Sequence, residues 1–565
     1  MSLFGSIQMA RNTLRANEIA LQVVGQNIAN ANTPGYIREE VLLSPAPTQR
    51  DGALLLGLGV RVEGIVQVLD EFLEERLRGA VSEQAGAETT QQAYAQLENY
   101  LGGLNDNDLS ASMVAFFNSI SEVLNQPDSR TVRNLAVLQG ETLTRDINQL
   151  AIRASQLRDD VNTRIANAGD EINRLVEEVR TLNVRIANME GGNISKSDAV
   201  GLRDQRLNAL EGLAAMMDIR VVEQPSGGVI VYAGGDYLVY EGTAREVEVV
   251  QTPEHGFVEN NIRIVETQAP LIPASGQLRG LLDSRDTILT GFLDQLDTFS
   301  QTLAFEFNKI YCSGQGLTGY SEVTGTAQVD DPTAALNAAG LTYTPQNGSF
   351  QVLVRNKKTG ATKTTDIRVD LTGMGHDATL ASLTADLNAV PGLSVAIDVN
   401  GRLTIASLSS DNEFAFAADT SGALAALGIN TFFIGESAAT LGVNADVKND
   451  PSKFAASRGG IGKDTGNAID LAAFSDRPLA AQNGDSLAVL YERLSGETTQ
   501  GAAIANTNAE SAAVFQQSLH GQKLASSGVN LDEEVVKMMS YQRSYQASAR
   551  YISILNELLQ LTVNI

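Results

Sequence analysis

The chain has one cysteine, Cys312, among 565 residues, and no tryptophan. A single thiol excludes an internal disulfide framework and any zinc site built on cysteine pairs. The three histidines, His255, His376 and His520, are too far apart for metal-ligand spacing on one helix. No run of about 18 apolar residues occurs, so no segment is built to cross a membrane as a helix. Basic residues are outnumbered, with 41 Lys and Arg against 67 Asp and Glu and a formal net charge of −26. That balance opposes nucleic acid and anionic membrane as partners, since both attract basic faces. The opening stretch MSLFGSIQMARNTLRANE has no basic segment leading into an apolar one, so no Sec-type signal peptide is read there.

Catalytic arrangements are equally scarce. Cys312 lies in FEFNKIYCSGQG, far along the chain from every histidine, and reads as a partly buried structural thiol. His376 stands beside Asp377 in GMGHDATL and reads as a surface-loop residue. No phosphate-binding G-x-x-x-x-G-K-[ST] loop is present, and the acid pairs Asp159-Asp160 and Asp330-Asp331 read as solvated surface. The expectation is no enzyme, no cofactor and no metal.

What is abundant is helical periodicity. Leu3, Ile7, Ala10, Leu14, Asn17, Leu21, Val24, Ile28 and Ala31 are spaced alternately by four and three, with Asn17 alone polar. One polar seam residue sets register at some expense of stability. Thr33-Pro34-Gly35-Tyr36 then stops the helix: proline has no N–H to donate, and Pro-Gly suits the centre of a type II turn. The stretch from Arg50 to Val68 is Gly-rich and alternating, and predicts a short extended excursion. A second seam runs from Ile147 through Leu150, Ala154, Leu157, Val161, Ile165, Ala168, Ile172, Leu175, Val179, Leu182 and Ile186 to Met189, with a stutter at Val161. It predicts a helix of around 45 residues, or roughly 65 Å. A third, from Leu282 to Ile310, is interrupted by Arg285 and Glu306. The chain closes on Leu531, Val535, Met538, Gln542, Tyr545, Ala549, Ile552, Asn556, Leu559 and Val563, again in four-three steps.

Between these helices lie β-type segments. Ile219 to Val250 reads as short strands separated by glycine turns. Further on, Leu393, Val395, Ile397 and Val399 alternate up to Asn400-Gly401, with Leu403 and Ile405 beyond, the pattern of a tight hairpin. The fold class expected is therefore α+β and multidomain, with long α-helical coiled coils formed by the N- and C-terminal segments together and β-rich domains inserted between helices. The boundaries are 1–34 with 525–565 for the terminal coiled coil, and 35–217, 276–312 and 455–524 for a helical rod. Residues 218–275 form a small β-rich segment, and 313–454 an outer β-rich insertion.

An isolated amphipathic helix is marginal in water, so each terminal helix needs a partner. The other terminus supplies one. That pair leaves Ile19 and Val23, with Val536, Met539, Leu555, Leu558 and Leu561, as surplus apolar positions for neighbouring subunits.

The run Asn27-Ile28-Ala29-Asn30-Ala31-Asn32-Thr33-Pro34-Gly35-Tyr36 resembles the N-terminal signature of the bacterial flagellar axial proteins, which include rod, hook and hook–filament junction proteins. Ser527 to Glu534, continuing into YQRSYQASAR from Tyr541 to Arg550, resembles that family's closing helix. Leu278 to Asp286 (LRGLLDSRD) and Leu427 to Phe433 (LGINTFF) resemble internal motifs of its junction members. The resemblance implies a structural protein exported without a cleaved signal peptide through the flagellar type III apparatus, to an extracellular place at the hook–filament junction. Its subunits would self-assemble into a ring that meets the hook protein on one side and the second junction protein on the other. A cytoplasmic export chaperone would hold the C-terminal helix beforehand. The interface residues so implied are Leu3, Ile7, Leu14, Asn17, Leu21, Val24, Ile28, Leu531, Val535, Met538, Tyr545, Ile552 and Leu559. The turn motif is Asn32, Thr33, Pro34, Gly35 and Tyr36. Two other readings stand beside this one: a hook or rod protein, and a secreted protein that binds a ligand through its β-rich insertion.

Overall fold

A computed structural model describes residues 3–51, 54–102, 109–190, 199–254 and 256–563. His255 and the Leu3 side chain lie outside what is described. The main helices are α1 (Leu3–Asn30), α2 (Glu71–Gly102), α3 (Leu109–Asn125), α4 (Arg130–Glu190), α5 (Val200–Met216), α6 (Thr290–Tyr311), α7 (Leu487–Ser527) and α8 (Leu531–Val563). The chain divides into two compact units. One is Met1–Ala93, Asp159–Thr287 and Ala503–Ile565, and the other is Tyr94–Arg158 and Ile288–Ala502.

In the first unit α1 packs along α8. The strands β1 (Glu39–Pro45), β2 (Thr48–Asp51), β3 (Leu54–Gly57) and β4 (Val60–Gln67) form an excursion in which β1 pairs antiparallel with β4 and β2 with β3. It folds back on α1, where the Asn12 side chain donates to Leu58 O at 2.9 Å. The strands β5 (Arg220–Glu223), β6 (Val229–Ala233), β7 (Asp236–Tyr240) and β8 (Thr243–Ala244) make an antiparallel sheet in that order. β9 (Val247–Glu254) and β10 (Phe257–Ile264) form a hairpin.

The helix α4 holds these strands through asparagines rather than through its apolar seam alone. Asn162 donates to Val258 O at 2.8 Å, Asn173 to Val247 O at 2.8 Å, and Asn183 to both Val229 O and Glu241 O at 2.9 Å. Each amide side chain satisfies strand groups that would otherwise be buried unpaired. Twelve of the thirteen seam positions are buried, and Met189, the last, is exposed. The helix itself is 61 residues long, longer than its seam, because it starts at Arg130 behind an Ser129 hydroxyl that accepts the Val132 N–H at 3.3 Å.

Arg285, read from the sequence as a break in a seam, is buried to 1% exposure. It sits in a π-helical turn, Ser284–Leu289, and its guanidinium donates to Asn162 Oδ1, Asn260 O and Asn261 Oδ1 at 2.7–3.1 Å. Its charge reaches the interior because the Asp286 and Glu259 carboxylates pair with it and carbonyl and amide oxygens from α4 and β10 converge on it.

In the second unit β12 (Gly348–Asn356) lies between β13 (Thr362–Val369) and β16 (Asn412–Ala417), while β15 (Leu403–Ser407) lies between β11 (Glu322–Thr324) and β14 (Leu393–Ile397). The hairpin foreseen at Asn400-Gly401 forms, but its loop is wider than a two-residue turn. β14 ends at Ile397, and Val399 projects fully into solvent. The Asp398 carboxylate causes this by accepting the N–H groups of Asn400 and Arg402 at 2.8 and 2.9 Å.

The aromatic core of this unit gathers around Phe432 of the LGINTFF motif. Its ring centroid lies 4.8 Å from Phe433, 5.5 Å from Phe116 and Tyr311, 5.6 Å from Phe307 and 5.9 Å from Phe454. Gly140 of α4 makes the room, since a Cβ there would stand 2.6 Å from the Phe432 ring. Cys312 is buried completely rather than partly, with Sγ donating to Ile429 O at 3.2 Å, and burial pushes its thiol well above the ordinary cysteine range. His376 is exposed.

Candidate assembly interface

The helices at the two ends of the chain meet through a buried polar hub. Asn27 is 1% exposed on the α1 face towards α8. Its amide donates to Glu534 Oε2 of α8 and to Glu39 O of β1, both at 2.9 Å. Its oxygen accepts the Tyr36 hydroxyl at 2.9 Å and the Glu39 N–H at 3.0 Å. One side chain thus ties α1, the turn, β1 and α8 together, with every donor and acceptor satisfied. Glu534, also 1% exposed, is completed by Lys537 at 3.0 Å.

The local sequence accounts for each part. α8 starts behind Asn530, whose side chain accepts the Asp532 N–H at 3.1 Å. Asp532, Glu533 and Glu534 then fill the first turn, where acids complement the helix dipole. At the other end of the hub Tyr36 N–H donates to Thr33 O at 3.2 Å, and Gly35 adopts φ 76°, the geometry of a type II turn. A Cβ at Gly35 would also stand 2.4 Å from Asn208 Oδ1, so only glycine lets this turn lie against α5. Of the turn motif, Asn32, Thr33, Pro34 and Gly35 are exposed, and Tyr36 is half-buried.

Along α1, Asn17 and Val24 are buried, while Ile7, Leu14, Leu21 and Ile28 are half-buried. Along α8, Met538, Tyr545, Ile552 and Leu559 are half-buried, and Leu531 and Val535 are exposed at 48% and 39%. Two positions read as surplus, Val23 and Leu555, are instead buried within the chain, because the contact between α1 and α8 is wider than a single seam. Val536, Met539, Leu558 and Leu561 remain exposed on α8, and so does Phe4 on α1.

Asn17 Nδ2 is buried without a hydrogen-bond partner. A buried unsatisfied donor costs about 1–3 kcal/mol. Asn17→Leu, of similar volume, is therefore expected to raise the urea midpoint of the first unit by the equivalent of about 1–2 kcal/mol. Register between the helices should loosen in exchange. An unchanged or lowered midpoint would count against this account of Asn17.

Asp204 of α5, 9% exposed, accepts a hydrogen bond from Gln67 Nε2. Burial pushes its carboxyl up to about 7, opposed by the Gln67 hydrogen bond and helped by the nearby Glu39 charge. Burial also raises Glu39 and the Tyr36 phenol. Sequence reasoning assigned no role to Asn27, Glu39, Asp204 or Glu534 as a group. The one available signal was that Asn27 and Glu534 both fall inside the terminal motifs.

Comparison with known proteins fits this architecture. Three family models match: flagellar hook-associated protein FlgK helical domain over residues 94–327, flagella basal body rod protein over 7–36, and flagellar basal body rod FlgEFG protein C-terminal over 521–565. Flagellar hook-associated protein 1 of Salmonella typhimurium is 24% identical over 99% of both chains. Its counterpart in Escherichia coli is 25% identical over 99% of both, and that of Bacillus subtilis is 23% identical over 100% of this chain and 98% of its own. The flagellar hook junction protein FlgK from Burkholderia pseudomallei shares the fold. That match has a TM-score of 0.50 at 16% identity and covers 80% of this chain and 99% of the other.

The matched ends define the class: a structural protein of the flagellar axis, not an enzyme. Within that class the full-length relatives and the helical-domain match agree: along its whole length the chain is similar to flagellar hook-associated protein 1. The full-length relatives are junction proteins rather than hook or rod proteins. Among the described residues no helix is long and apolar enough to cross a membrane.

Proposed function

We propose that this chain forms the ring joining hook to filament, and that its terminal helices carry the contacts between subunits. The observation that carries this reading is the pairing of α1 with α8 around Asn27, which fixes one face of α8 and leaves Val536, Met539, Leu558 and Leu561 uncovered on it. An apolar stripe of this kind on a paired helix suits burial against neighbouring helices. The interface residues are Leu3, Ile7, Leu14, Asn17, Leu21, Val24 and Ile28 on α1 with Leu531, Val535, Met538, Tyr545, Ile552 and Leu559 on α8. The turn Asn32 to Tyr36 redirects the chain out of this layer. One side of the ring meets the hook protein and the other the second junction protein, outside the cell, after type III export. Before export the stripe from Val535 to Leu561 docks in a chaperone groove. The domain boundaries set out from the sequence describe the rest, with 313–454 as the outer insertion.

Deleting residues 536–565 in the organism tests the reading. Cells are expected to build hooks without filaments and to release filament protein into the medium. Normal filaments would overturn it.

A further inference from the structure

The geometry points to a binding site for a small organic carboxylate with an apolar stem, held on the side edge of the Arg206 guanidinium, with Arg78 as a second cation. The site lies within the first unit and does not depend on assembly of the termini.

Two arginines one turn apart on α5 differ in their partners. Arg203 is 6% exposed, and its Nε and Nη2 both donate to one carboxylate, Glu190, at 2.8 and 2.9 Å. Its Nη1 reaches Glu223 at 2.9 Å. The Glu190 contact is the forked, two-point pairing that a planar guanidinium is shaped for. Arg206 is 4% exposed and uses only Nη1, which donates to Asn183 Oδ1 at 3.0 Å and to Gly227 O at 2.7 Å. Among the described residues its Nε and Nη2 have no hydrogen-bond partner, and no carboxylate stands within ion-pair distance. Neither donor is sealed in protein, because Arg206 lines a cavity of about 400 Å³. The edge that Glu190 fills on Arg203 is therefore empty on Arg206.

The same cavity is lined by Arg78 of α2, which is half-buried and makes no hydrogen bond or ion pair among the described residues. Glu74, Glu75 and Glu211 act on it only through space. Leu207 and Leu210 of α5, Val221 of β5 and Val229 of β6 supply an apolar wall. Four acids also line the cavity, and none occupies the free edge. Glu223 is taken by Arg203 and Glu74 by Lys523, each at 2.9 Å. Glu71 and Glu75 are exposed, where water and salt screen them.

Burial, and then the Arg203 charge, pull the Arg206 guanidinium down to about 10, as expected of a cation short of a counter-charge. A bound carboxylate supplies that charge through two parallel hydrogen bonds. Its stem displaces water from the leucine and valine wall, which an inorganic anion would leave wet. The volume suits a ligand of this size.

Saturation-transfer NMR on the full chain at low ionic strength tests the site, with hexanoate as the probe. Hexanoate is expected to bind saturably, more tightly than acetate and more tightly than hexan-1-ol, and to weaken as salt is added. Arg206→Gln should abolish the signal. Arg78→Gln removes a side chain with no bonds to break, so it should keep the thermal midpoint while weakening hexanoate about tenfold. No saturable binding of hexanoate, equal binding of hexan-1-ol, or a signal retained in Arg206→Gln would overturn the site. If Arg206→Gln does not fold, undiminished binding in Arg78→Gln overturns it equally.

Discussion

Asn27→Leu is expected to free α1 from α8 while the second unit stays folded. The substitution leaves the Glu39 N–H, the Tyr36 hydroxyl and one oxygen of the buried Glu534 carboxylate without their present partner. Each buried group left unsatisfied costs about 1–3 kcal/mol, more when it is charged, so a total of roughly 3–5 kcal/mol is expected. Lys537 still neutralises part of the Glu534 charge, which keeps the figure from climbing further. Amide protection in α1 and in the first two turns of α8 should fall together. Filaments should fail, the same outcome expected of the C-terminal deletion. Protection unchanged within error would show that apolar contacts alone hold the pair.

Phe432→Ala is expected to do the reverse, unfolding the second unit and sparing the first. Phe432 is fully buried among five aromatic side chains, and truncating such a residue costs about 3–5 kcal/mol through lost transfer energy and the cavity left behind. Collapse is hindered because the site is enclosed by stiff rings rather than by flexible aliphatic chains. Calorimetry should show a lowered transition for this unit, with the α1–α8 pairing still protected from exchange. A loss under about 1 kcal/mol would mean the cluster repacks around the vacancy. Together the two variants separate assembly from folding.

How far the sequence discloses these features depends on the range of the interaction. The α4 seam was legible because apolar spacing is a local record of one helix burying one face. The stop at Pro34-Gly35 was legible for the same reason, since proline and glycine act on their own backbone. Arg285 was not, because a charge in a seam looks like an interruption until the oxygens of Asn162, Asn260 and Asn261 are seen to surround it. Val399 fits the strand alternation, and only the Asp398 side chain, bonding two residues ahead, takes it out of β14. The hub was hidden most completely. Asn27 and Glu534 are each ordinary polar residues in a motif, and nothing near either one announces the other. Val23 and Leu555 were misplaced by the same gap, as a single seam was drawn where the packed face is broader.

The separation of Asn27 from Glu534, 507 residues along the chain, also orders events in time. At the usual pace of synthesis, about 5–20 residues per second, α1 leaves the ribosome roughly 25 to 100 seconds before its partner exists. For that interval the helix has no face to close against, and residues translated late decide whether early ones are ever used. A chain terminated before α8 can fold its middle and still lack the partner of α1. The pairing therefore acts as a check on length, because only a product that extends beyond Glu534 carries both halves of the hub.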